Sequence, residues 1–142
     1  MSAHAVSFLQ YDPADAPVAT SWSDEVMTAI NLLRLHAMQC RVSARVDLFR
    51  ACQMLAPEAS DARAAFATAL VRVLGDALDR HPVFHRPGTM TLSFDEAWLA
   101  RLLDCRLRDD EPSMTFLAHR RVTPIKRRAL LALITGFVRA TQ

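Results

Sequence analysis

The chain has 142 residues, of which 51% are hydrophobic and 23% charged, with a net charge of +2. That length suits one domain burying roughly two-thirds of its unfolded surface, so neither a disulfide nor a metal is required for stability. The longest charge-free apolar run, ALLALITGFV behind Arg128, falls well short of the roughly 20 residues that span a bilayer, so no membrane partner is expected.

Residues 1–20 carry Pro13 and Pro17 and show no helical period. They read as an extended N-terminal arm ahead of a single all-α domain over 21–142. The arm lacks a basic segment followed by a long apolar core, so it is not a signal peptide, and a cytoplasmic location is expected. Cys40, Cys52 and Cys105 show no metal-binding or redox spacing and fit a reducing compartment.

From Ser23 to Leu55 there is neither Gly nor Pro, and Asp24 and Glu25 stand where a helix start favours acids. One apolar stripe, Val26, Ile30, Leu33, Ala37, Cys40, Ala44, Leu48, Cys52 and Leu55, runs at intervals of three and four. A second, Leu35, Met38, Val42, Val46 and Phe49, lies beside it. An unbroken helix of this span would be about 50 Å long, against a radius of gyration of about 14 Å for a compact chain of this size. Either it breaks near Ser43, or it protrudes and a second subunit covers it.

Pro57 ends that segment. Ser60 and Asp61 are placed to cap a second helix running to about Arg80, with Phe66, Ala69, Leu70, Val73, Leu74, Ala77 and Leu78 on its inner face. HPVFHRPGTM then breaks the chain. In LSFDEAWL, Ser93 and Glu96 form a capping box and Leu92 can staple onto Ala97, starting a third helix with Trp98, Leu102 and Cys105 facing inward. After the DDEP turn a short fourth helix from about Pro112 carries Met114, Phe116 and Leu117. Thr123 and Pro124 open a fifth, whose Ala132, Gly136 and Ala140 make a small-residue ridge suited to the centre of the molecule. The expectation is a bundle of about five helices with a long first helix and a central apolar C-terminal helix.

Little in the sequence asks for catalysis. The three glycines are too far apart for a phosphate-binding loop, and no G-x-S-x-G or H-E-x-x-H occurs. Asp79, His81 and His85 lie close in sequence, with His36 the only distant further ligand, but Pro82 prevents the two histidines from sharing a helical face. No metal or other cofactor is assigned. The cysteines sit on apolar stripes, where they act as small hydrophobes.

The remaining anomaly is HRRVTPIKRR, residues 119–128. From Pro112 onward there are six Lys or Arg and no acid. His119, Arg120 and Arg121 close the fourth helix, where cations suit the dipole. Lys126, Arg127 and Arg128 stand at the positive end of the fifth, where they need compensation. Either the Asp109–Glu111 turn supplies it, or an anion does. The pair of helices resembles a helix-turn-helix in outline, but the apolar run after Arg128 leaves no polar face to read bases. Two functions follow. One is a non-enzymatic interaction or regulatory module, homodimeric and binding another protein through helical surfaces. The alternative is an anion-binding module, for nucleic acid backbone or a phosphorylated or carboxylate small molecule, through Arg120, Arg121, Lys126, Arg127 and Arg128.

Overall fold

A computed structural model describes residues 21–42 and 59–142. Among these the chain is all-α, with five helices and no strand: α1 (Asp24–Val42), α2 (Ala59–Leu78), α3 (Phe94–Leu107), α4 (Glu111–Arg121) and α5 (Pro124–Thr141). None is long and apolar enough to cross a membrane. The N-terminal arm, the stretch around Ser43 and Cys52 lie outside the described residues.

The periodic stripes become the core. On α1, Val26, Ile30, Leu33 and Ala37 are buried, and Cys40 packs against them in part. The second stripe behaves differently: Leu35 and Met38 are each 44% exposed. The rest of that stripe lies outside the described side chains. Helix α2 begins at Ala59, so Ser60 and Asp61 fall within its first turn rather than ahead of it. It stops at Leu78 because Asp79 takes a left-handed conformation, φ 55°, which Asp tolerates better than most residues. Ala67, Leu70, Leu74 and Ala77 are its most buried side chains that face the common core.

Helix α3 is buried on a broad front, including Trp98, Leu99, Leu102, Leu103 and Cys105. Its start has the expected capping box: Glu96 N–H donates to Ser93 Oγ at 3.1 Å, and Ser93 N–H donates to Glu96 Oε1 at 2.9 Å. Helix α4 buries Met114 and Ala118, and the Trp98 indole N–H reaches the Leu117 carbonyl at 3.0 Å across the α3–α4 seam. Phe116 is 60% exposed and carries Arg120 over its ring.

Helix α5 packs against α2, α3 and α4 through Leu130, Ile134, Phe137 and Val138. Its apolar run is buried along one side only, since Ala129 and Ala132 are exposed. The small-residue ridge therefore narrows to Gly136, where an added methyl would overlap the Phe66 ring of α2, with 2.7 Å left to Cζ.

Candidate functional site: a loop clamped by buried ion pairs

Residues 79–93, between α2 and α3, carry no helix or strand. Connections of this length inside a compact domain are uncommon unless they bind something or are disordered. This one is held from beneath by two adjacent carboxylates, Asp95 and Glu96, in the first turn of α3, where acids also complement the helix dipole.

Glu96 is fully buried and faces Arg34 of α1, which is fully buried too. The guanidinium uses every donor it has. Its Nε donates to Glu96 Oε2 at 2.6 Å and Nη2 to Glu96 Oε1 at 3.1 Å. Nη1 donates to Asn31 Oδ1 at 3.0 Å and to the Thr89 carbonyl at 2.7 Å, and Nη2 also reaches the Thr91 carbonyl at 3.0 Å. Five N–H groups meet five acceptors. Glu96 Oε2 further accepts the His85 N–H at 3.1 Å. Burial pushes the Glu96 carboxyl up, but hydrogen bonds from Arg34 and the Ser93 and His85 amides outweigh it and hold the pKa below normal.

Asp95 does the same work one residue earlier. Arg80 grips it in two-pronged fashion at 2.6 and 2.9 Å, Arg121 of α4 adds a bond at 2.7 Å, and the Val83 N–H adds one at 2.8 Å. Burial alone would raise this carboxyl, yet the bonds from Arg80, Val83 and Arg121 bring it down to about 2. The Ser93 hydroxyl donates to the Val83 carbonyl, and the Gly88 N–H donates to Asn31. Gly88 has φ 86°, the left-handed conformation its turn requires.

Such a clamp is poor value as a source of stability, because desolvating two charges offsets most of their attraction. Its effect is to fix the position of the loop. The loop and α1 leave apolar side chains in solvent among the polar ones: Met90 is 87% exposed and Val83 54%, and Leu35 and Met38 of α1 are each 44% exposed. A cavity of about 540 Å³ opens there, lined by Met38, Phe84, His85, Arg86, Thr89 and Thr91.

The five cations singled out in the sequence do not converge. Arg121 is committed to Asp95 and lies over the rings of Phe94 and Trp98, at 5.0 and 4.8 Å. Its Nη1 is buried without an acceptor, and attraction to the ring faces stands in for one. Lys126 donates to Asp79 and to the Asp76 carbonyl, each at 2.9 Å. Arg127 donates to the Val122 carbonyl at 2.7 Å and meets His119 at 3.0 Å. Arg120 and Arg128 are exposed. The acids that compensate Lys126 thus come from the end of α2 and not from the Asp109–Glu111 turn, where Asp109 and Glu111 pair with Arg106 and Asp110 caps α4. Thr123 occupies the N-cap position without a side-chain bond.

Asp79, His81 and His85 do not come together as ligands either. Asp79 faces Lys126, while His85 Nδ1 lies 2.8 Å from the Thr91 carbonyl. No group of three or more His, Cys, Asp or Glu with metal-holding geometry occurs among the described residues. His36 is buried in a hydrogen bond to Thr68 at 3.0 Å.

The sequence reading missed Arg34, Arg80 and Asp95. One signal was available: Arg34 sits in NLLRLHAM, one helical turn from both Ile30 and Ala37, so a cation stands on the inward face. No family model matches the chain, and no curated protein or solved structure matches it either.

Proposed function

We propose that this chain is a non-enzymatic helical interaction module that binds a second copy of itself or another protein through α1 and the 79–93 loop. The observation that carries it is the pairing of a long loop, clamped by fully buried Arg34 and Glu96, with apolar side chains left in solvent at Leu35, Met38, Val83 and Met90. Exposed apolar groups on a rigid support are the kind of feature that marks an interaction surface. A regulatory role and a cytoplasmic setting go with this reading, and Cys40 and Cys105 are free thiols.

The test is sedimentation of the intact chain against Leu35→Lys with Met38→Lys. Both side chains are already half in solvent, so the fold tolerates the change. Self-association that rises with concentration in the parent and is lost in the variant supports the proposal. Identical sedimentation of the two refutes self-association through this face.

A second reading, anion binding at the α4–α5 corner, is favoured by the exposure of Arg120 and Arg128 and the absence of acids from residue 112 onward. It predicts salt-sensitive binding to heparin and DNA that Arg120→Glu with Arg128→Glu removes. Equal binding by both proteins, or none at low salt, refutes it.

A further inference from the structure

The clamp fixes more than the position of the loop. The amides of Val83 and His85 both point into the first turn of α3, to Asp95 and Glu96, and the Val83 carbonyl points there as well, toward Ser93. Amides two residues apart facing one way are the mark of an extended chain. None of residues 81–86 has a positive φ. The intervening residue, Phe84, therefore turns its N–H and C=O away from α3, and neither has a partner among the described residues. Residues 82–86 thus run extended, with Phe84 packed in part against the core and the edge away from α3 unpaired among the described residues.

We propose that this edge pairs with the same edge of a second copy, antiparallel about a twofold axis through Phe84. This rests on the interaction reading above and specifies its geometry. In a hydrogen-bonded antiparallel pair, facing residues exchange both of their N–H···O=C bonds, and across a twofold axis a residue can face itself. Phe84 then faces Phe84 of the second copy, and two donors and two acceptors with no partner among the described residues are satisfied.

The flanking positions choose this partner. With Phe84 on the axis, Arg86 faces Pro82 of the second copy. Pro82 has no N–H to give, and the Arg86 carbonyl needs none, because it already accepts the Thr89 N–H at 3.1 Å. In the other direction the Arg86 N–H and the Pro82 carbonyl both lack a partner among the described residues and can meet. A generic strand would waste its donor opposite the Arg86 carbonyl; a second copy does not offer one. The two Arg86 side chains stay about 13 Å apart, four residues along the strand, beyond most of their mutual repulsion. Val83, 54% exposed in one copy, comes to lie across from His85 of the other. Pro82 and Pro87 limit the edge to this short length, which stops further strands from adding.

Amide hydrogen exchange of the intact chain, at concentrations below and above its self-association midpoint, tests the pairing. Exchange at Phe84 and Arg86 should slow at least about tenfold on association, and Phe84→Pro, which deletes the central donor, should weaken association at least about tenfold. Association with Phe84 and Arg86 exchanging at unchanged rates overturns the strand pairing and leaves the interaction reading standing. A well-folded Phe84→Pro variant that associates as tightly as the parent overturns the pairing too. If that variant does not fold, the exchange rates of the parent decide. A chain that stays monomeric to about 1 mM overturns both the pairing and self-association.

Discussion

Arg34→Met removes five hydrogen bonds at once and leaves a buried carboxylate facing a thioether. The Thr89 and Thr91 carbonyls lie near enough to the surface to find water, so they add little. Glu96 is fully enclosed and cannot. Removing one partner of such a pair costs about 3–5 kcal/mol, which is a large share of a stability of the order of 5–15 kcal/mol. The assay is urea unfolding followed by far-UV circular dichroism at neutral pH, for the parent, Arg34→Met, Glu96→Gln and the double variant. The double variant should be more stable than Arg34→Met, since it has no orphaned charge, and the cycle should show coupling of more than about 1 kcal/mol. The deficit of Arg34→Met should also shrink as pH falls toward 4.5, the ordinary value for this group, because burial makes the stranded carboxylate take up its proton above that value, and shrink further below it as the parent protonates its own paired carboxylate. A loss below about 1 kcal/mol in Arg34→Met, or strictly additive variants, would refute the clamp as the element that fixes the loop.

Three further outcomes are expected. Asp95, held at about 2 against an ordinary 3.8, contributes roughly 2 kcal/mol above pH 4 that is lost as pH falls toward 2, and Asp95→Asn should flatten acid unfolding in that range. Burial lowers the pKa of His36, so the unfolded chain binds its proton first, and stability should decline as pH drops below 6.5. His36→Gln should remove that decline, and an unchanged melting-temperature slope between pH 7 and 5 would count against it. Gly136→Ala should destabilise by about 1–3 kcal/mol through overlap with Phe66, with Phe66→Leu restoring much of the loss in thermal melts.

The helices were legible because their causes are local. Ser93 and Glu96 sit three residues apart, and the stripe from Val26 to Ala37 repeats at the helical period, so neither needs knowledge of the rest of the chain. The clamp was not legible because its partners are far apart: Arg34 and Glu96 are separated by 62 residues. Glu96 was read as half of a capping box, which it is, while both of its oxygens also accept from a distant cation. The charge balance of α5 was misplaced for a related reason. Packing of α2 against α5 brings Asp76 and Asp79 beside Lys126, and that packing is a property of the assembled bundle. Leu35 and Met38 show the converse limit, since an apolar stripe on a helix does not say whether its cover is part of the same molecule.

The two duties of Glu96 also belong to different moments of folding. Its bond to Ser93 closes a loop of three residues and can form while the rest of the chain is still searching. Its bond to Arg34 must wait until 62 residues have been gathered in, at a closure entropy that grows with loop length. One carboxylate is thus a nucleation signal first and a latch last. Arg34→Met should accordingly steepen loss on the unfolding limb of a chevron and leave the refolding limb nearly where it was, so that the latch governs how long the native molecule survives more than how fast it is made.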